Sequence, residues 1–329
     1  MTTSETVYAT TDEGLRLPVV DVTTPAFSVT VTNAELDALT EQFVQESASR
    51  PEMSPAVRQA LAQSILGKAL MAAVDTFLPG LDTYFLKIGP DHLRDPFTEI
   101  DRRIAASFPG FTTRIRLQDM ASLIADGLKP ILAADTGRPI CLVNVAGGPA
   151  ADSWNALIHL RREAPELLER RSIAIAVLDL DDRGPQFGKR AIAALAASDG
   201  PLSGLSIDFR HLPYDWSQSD RLGSCLDDLR ARESACAISS EGGLFEYGTD
   251  EVVAANLAQL HAGTPADAFV VGSVTRDNEA TRASKAASRV PTQPRTLEAF
   301  RKLALGTGWS TERALERPFT YNVRLAKAR

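Results

Sequence analysis

Four places along this chain gather residue types that can hold or transform a ligand. The first is Asn144-Val145-Ala146-Gly147-Gly148-Pro149-Ala150-Ala151-Asp152, where paired glycines let backbone approach a ligand closely. The second is the acidic trio Asp179, Asp181 and Asp182, directly after an apolar run. A carboxylate there can accept both hydroxyls of a ribose. The trio could instead hold Mg²⁺, an ion that takes carboxylate oxygens, but two of the three side chains are expected to point to opposite faces. The third is Leu212-Pro213-Tyr214-Asp215-Trp216, an acid flanked by aromatic rings. The fourth is Ser239-Ser240-Glu241-Gly242-Gly243, two hydroxyls and a carboxylate ahead of a glycine pair.

Each of these clusters follows a short apolar run, and the runs recur with helical segments between them. Ile140–Val145, Ser172–Leu178, 205–209, 235–239 and 268–274 read as strands; 152–170 and 188–197 read as helices. Alternation at this spacing implies right-handed βαβ crossovers and a mostly parallel sheet. Gly308-Trp309 leads into a weak strand and 319–325 reads as another, with no helix between them, which predicts a terminal antiparallel hairpin. In an open α/β sheet, ligands bind beyond the carboxyl ends of the strands near the switch in strand order, and all four clusters fall at such ends.

The first third has a different texture. Thr32-Asn33-Ala34-Glu35 forms a capping box that predicts a helix to about residue 46. Apolar residues at helical spacing predict another over 52–77, stopping at Leu78-Pro79-Gly80, with further helices over 99–107 and 117–134. The turn signal Asp135-Thr136-Gly137-Arg138-Pro139 marks the boundary, giving a helical domain over 1–136 and a sheet domain over 137–329. The Thr-rich stretch to about Thr30 reads as loose chain or as a strand pairing elsewhere.

With these motifs in order, residues 138–329 resemble the class I S-adenosylmethionine-dependent methyltransferase family. The family's glycine motif is matched loosely by Val143 to Ala150, its acid ending the second strand by Asp179 in Val177-Leu178-Asp179-Leu180-Asp181, and its adenine-contacting acid by Asp215. The implied fold is a Rossmann-like sheet, mostly parallel with an antiparallel C-terminal strand, behind an N-terminal helical lid or substrate domain. The implied cofactor is S-adenosylmethionine, held by Asn144, Ala146, Gly147, Gly148, Asp179, Leu180, Asp215, Trp216, Ser239 and Ser240. The implied activity is methyl transfer to a small-molecule acceptor, with oxygen as the expected atom. Glu241, at the strand end where the reactive part of the cofactor lies in this family, is the first candidate general base, and His211 the second. Arg114 and Arg116 could meet the cofactor carboxylate, an acidic substrate or solvent. The chain departs from the family pattern at Asn144, usually an acid, and at Ala146 and Ala150, usually glycines. Those departures motivate a second reading, a cofactor- or partner-binding protein without transfer activity.

A nicotinamide dinucleotide enzyme fits less well. Its motif needs glycine at three spaced positions and a helix N-terminus facing a diphosphate. Here Ala146 and Ala150 interrupt the glycines and Asp152 would repel the phosphates.

Composition narrows the classes further. Of 329 residues, 44% are hydrophobic and 23% charged, which excludes wholesale disorder. No run of 18 apolar residues supports a membrane span, and the N-terminus reads as neither a basic nor an apolar signal region. Three cysteines are too few for a disulfide framework, which points to a reducing, cytoplasmic setting. The net charge of −7 disfavours nucleic acid as a partner. It divides into −14 over residues 1–275 and +7 over 276–329. The basic tail is the sole motive for an RNA-methylating alternative; as the outer face of an amphipathic helix carrying Leu297, Phe300 and Leu303 it needs no such partner. A homodimer is one assembly the chain could form; the sequence does not set the oligomeric state. No His/Cys spacing reads as a metal site. His92, in an N-terminal loop that could cover the site, is a further candidate base, while His159 and His261 fall inside expected helices and carry no special role.

Overall fold

The structure, a computed structural model, describes residues 5–49, 54–288 and 290–328. The Thr-rich start forms an antiparallel hairpin, β1 (Tyr8–Thr10) with β2 (Arg16–Pro18). Helix α1 (Asn33–Ala48) begins at the expected capping box, with Thr32 and Glu35 bonded reciprocally. The single helix expected over 52–77 is two in the described part: α2 (Pro55–Leu61) and α3 (Ile65–Ala72). Ser64 divides them, because its hydroxyl donates to the Leu61 carbonyl (3.2 Å) and accepts from the Gly67 amide (3.0 Å), capping a new helix.

The chain does not stay irregular after Leu78-Pro79. Helix α4 (Gly80–Ile88) starts there, a helix the sequence reading did not contain. Next come α5 (Glu99–Ala106), capped by Thr98 and Asp101, and α6 (Phe108–Ala134), nine residues longer at its start than expected. The other Asp101 oxygen accepts from the Leu66 amide at 2.7 Å and ties α3 to α5.

From here strands and helices alternate: β3 (Ile140–Val145), α7 (Ala151–Glu163), β4 (Ser172–Leu178), α8 (Arg183–Leu195), β5 (Ser206–Leu212), α9 (Leu222–Asp228), β6 (Ala235–Ser240), α10 (Leu244–Tyr247), α11 (Asp250–Gly263), β7 (Phe269–Thr275), α12 (Glu279–Ser288), α13 (Leu297–Gly306), β8 (Trp309–Glu316) and β9 (Thr320–Lys327). The seven-stranded sheet has the order β5-β4-β3-β6-β7-β9-β8. The first five strands are parallel; β9 runs antiparallel between β7 and β8, so the terminal hairpin enters the sheet by its second strand.

Strands β3, β6 and β7 are buried along their whole length, which is why they read as continuous apolar runs. Their alternation feeds two cores. Ile140 and Leu142 face one layer with α4, α6, α7 and α8; Cys141, Val143 and Val145 face the other with α9, α10, α11 and α13. Helix α6 lies before the expected boundary in sequence, yet its Leu117, Met120, Leu123, Ile124 and Leu128 belong to the first layer's core. The three cysteines are free, with Cys141 and Cys236 side by side on β3 and β6 in the core. Among the described residues no helix is long and apolar enough to cross a membrane.

Candidate functional site

Strand order reverses between β3 and β6, so the crevice expected of this architecture opens where their carboxyl ends diverge. The β3–α7 turn lies at its floor. Ala146, Gly148 and Ala150 all take left-handed φ, at +56°, +56° and +62°. Two alanines thus adopt a conformation that costs an L-residue roughly 1–2 kcal/mol each. Of the three left-handed positions in the turn, only 148 holds a glycine.

Asn144 explains itself through its neighbours. Its Nδ2 donates to Asp152 Oδ1 (2.7 Å) and to Ser239 Oγ (2.9 Å), bridging β3, α7 and β6. A carboxylate at 144 would face Asp152 across that distance, whereas an amide can donate to it. The side chain fills the turn: a Cβ on Gly147 would fall 1.4 Å from Asn144 Oδ1. Asp152 is 1% exposed. Burial, then the nearby Glu241 charge, raises its carboxyl to about 6. Asn144 Oδ1 and Asp152 Oδ2 are buried without hydrogen-bond partners among the described residues.

Asp179, at the end of β4, accepts from the Gly148 amide (3.2 Å) and from the Asp181 amide (3.0 Å). Burial raises its pKa against those two bonds. It therefore faces the β3 turn, while Leu180 beside it is 62% exposed. His211 lies on the outer strand β5, with Nε2 2.9 Å from the Asp179 carbonyl. Asp215 closes a local turn by accepting from the Ser217 amide (2.9 Å). The Trp216 ring lies 5.8 Å from that of Phe77. Across the switch, Ser239 Oγ is used by Asn144, and Ser240 Oγ accepts from the Leu244 amide (3.0 Å).

Glu241 is not placed as a free base. Its Oε2 meets Lys87 Nζ at 2.8 Å and its Oε1 meets Arg116 Nε at 3.2 Å; the Glu241 and Lys87 side chains are each 2% exposed. Burial acts to raise its pKa, but Lys87 and Arg116 more than offset this and hold it below the usual carboxylate range. Arg116 also pairs with Glu246 at 2.8 Å, and Ser273 donates to the same Glu246 oxygen at 2.6 Å. Two cations and two carboxylates thus close a neutral buried cluster joining α4, α6, α10 and the β6 loop. Arg116 is committed within that cluster, and Arg114 donates to the Ala105 carbonyl at 2.9 Å.

Sequence reasoning missed α4, and α4 lies against the crevice floor. A Cβ on Gly80 would come within 2.4 Å of Gly148 Cα; one on Gly184 would come within 2.7 Å of the same atom. On the other side, a Cβ on Gly243 would lie 2.8 Å from the Ala146 Cβ. Backbone therefore covers the β3 turn on three sides. Just ahead of α4, Phe77 reaches toward Trp216 and lies 6.1 Å from Tyr247. The apolar spacing of Leu81, Tyr84, Phe85 and Ile88 after Pro79 was the signal for this helix.

The other histidines have local roles. His92 Nε2 lies 3.0 Å from the Ala26 carbonyl, His159 Nδ1 lies 3.3 Å from Glu163, and His261 packs edge-on against Trp309. Among the described residues no group of three or more His, Cys, Asp and Glu is arranged to hold a metal ion.

No family model matches the chain, and no curated protein does. Solved structures do. One, a possible exported protein from Bordetella parapertussis, is 18% identical, with a TM-score of 0.58 over 91% of this chain and 98% of that one. Magnesium protoporphyrin IX methyltransferase from Synechocystis PCC 6803 aligns at 15% identity and a TM-score of 0.43, over 68% of this chain and 88% of that one. Mitomycin 7-O-methyltransferase aligns at 12% and 0.42, over 87% and 75%. At 18% identity the likeness to the first of these is one of fold alone. The strand order, the antiparallel hairpin entering by β9 and the left-handed turn after β3 give this chain the class I methyltransferase fold.

Proposed function

We propose that the chain binds S-adenosylmethionine and transfers its methyl group to a small-molecule acceptor, at oxygen. The observation that carries this reading is the β3 turn: three left-handed residues, of which Gly148 donates its amide to Asp179, at the switch point of a sheet with this strand order. The donor set suits one end of the cofactor. Asp179 is a ribose acceptor that keeps lone pairs beyond its two amide bonds, and Asp215 and Trp216 offer an acid and a ring for a purine. The β3 turn itself is covered by Gly80 and Gly243, so the cofactor enters only when the segment from Phe77 to Gly80 parts from the turn. Residues up to 136 then act as the cover over the sheet, in a protein of the cytoplasm.

The decisive experiment is calorimetry with S-adenosylmethionine, S-adenosylhomocysteine and NAD. Binding of the two adenosyl compounds supports the reading; binding of NAD alone ends it. A silent protein on the same fold is the second reading, favoured by the covered turn and by the neutralised Glu241. It predicts no heat with any of the three, or tight adenosyl binding with no product across a broad acceptor panel.

A further inference from the structure

Two adjoining cavities lie beyond the ends of β6 and β7, between the sheet and the N-terminal helices. The inner one, about 200 Å³, is walled by Thr112, Thr113, Arg116, Glu246, Thr275 and Lys285. The outer one, about 500 Å³, is walled by Leu39, Phe43, Leu61, Leu70, Met71 and Phe108. They share Leu86, Pro109, Ser284, Ser288 and Val290, so a single ligand can lie across both. Their sizes suit a small organic molecule, whose pockets run to roughly 300–1,000 Å³.

The charges on the inner wall are unequal in their commitments. Arg116 is held by Glu241 and Glu246. Arg317, on the same wall, is held by Asp119 through two bonds of 2.6 and 2.8 Å. Lys285 has only a carbonyl, that of Thr292 at 2.7 Å, and no carboxylate partner among the described residues. The neighbouring Thr281 hydroxyl is buried without a hydrogen-bond partner among the described residues. The inner end therefore offers one unneutralised cation among hydroxyls, and the outer end offers a mainly apolar surface for a body, with Ser107 and the hydrogen-bonded pair Gln42 and Glu46 as its own polar members.

The geometry points to an amphipathic carboxylic acid as the ligand of this double cavity, its carboxylate on Lys285 and its hydrocarbon body against Leu70, Met71 and Phe108. An ammonium head would meet Lys285 as a like charge, and an uncharged head would leave it without a counter-ion. An acid that arrives ionised also asks no proton transfer of this wall, whose one carboxylate, Glu246, is already paired with Arg116. This names a substrate class for the proposed methyl transfer and rests on that reading only for the word substrate; the binding claim stands apart from it.

The test uses decanoate, decanol and decylammonium as probes in calorimetry on the full chain without cofactor. Decanoate is expected to bind at least tenfold more tightly than decanol, and decylammonium more weakly than either. Lys285→Met should bring decanoate down to the decanol level. Leu70→Trp, which fills the outer cavity, should weaken decanoate and decanol together. Equal binding of acid and alcohol, tighter binding of the amine, no binding of any probe, or a decanoate affinity untouched by either substitution overturns the proposal. Should either variant fail to fold, the acid–alcohol contrast on the unaltered chain decides alone. A separate titration with S-adenosylmethionine keeps the two ideas apart: adenosyl binding without acid binding removes only this inference, and acid binding without adenosyl binding removes only the methyl-transfer reading.

Discussion

Lys87→Met tests whether α4 closes the crevice. Lys87 Nζ sits 2.8 Å from Glu241, and both side chains are 2% exposed. Methionine keeps an unbranched side chain one heavy atom shorter and removes the charge. Taking one partner from a buried ion pair costs about 3–5 kcal/mol, because the other charge stays buried. Arg116 still reaches Glu241 at 3.2 Å, which places the cost near the low end of that range, about 3 kcal/mol. The loss falls on the closed arrangement, since only there is Glu241 shut away from water by α4. If the adenosyl ligand requires Gly80 to leave Gly148, the binding-competent fraction rises by the same free energy. At about 1.4 kcal/mol per tenfold, apparent affinity for S-adenosylmethionine should increase by up to about a hundredfold. Urea unfolding measures the stability loss, and calorimetry measures the affinity. A cycle with Glu241→Gln should return a coupling energy of about 1–3 kcal/mol for the pair. A cooperative, folded Lys87→Met whose adenosyl affinity is unchanged or weaker refutes α4 as the closing element.

Three further outcomes follow from the same geometry. Asp179→Ala should weaken adenosyl binding at least about tenfold, the loss of one hydrogen bond to a charged group, with its circular dichroism spectrum intact; unchanged affinity moves the ribose contact elsewhere. Asp152 is raised from 3.8 to about 6 in the folded chain, so the native state holds a proton the unfolded state releases. Stability from this group is full below pH about 4 and falls as pH rises to about 6, by at most about 3 kcal/mol. Asp152→Asn should flatten that fall and gain stability at pH 7 relative to pH 4.5; parallel urea curves for both proteins at the two pH values would speak against it. Gly80→Ala should cost about 1–3 kcal/mol by overpacking against Gly148, read as a lowered urea midpoint, whereas a neutral result would mean that the contact is slack.

The strands were legible because burial on both faces writes them as unbroken apolar runs, and β3, β4, β6 and β7 lie within about a residue of their expected limits. The terminal hairpin was legible because no helical segment separates its strands. What could not be read is how side chains commit to one another across the chain. Glu241 lies 154 residues from Lys87 and 125 from Arg116, so its candidacy as a base could not be weighed against partners that only folding brings to it. Helix α4, which carries Lys87, begins at Pro79-Gly80 with no side-chain cap, and that pair reads as a stop until the apolar face behind it has something to bury against. The departures at the β3 turn have the same origin. Asn144 differs from the family's acid, and taken alone it reads as a lost contact. Set 2.7 Å from Asp152, it is the residue that lets a buried carboxylate stay in place. A strand-end acid or glycine in such a sequence shows where a ligand site can form; whether its bonding capacity is still free there depends on residues that no local motif contains.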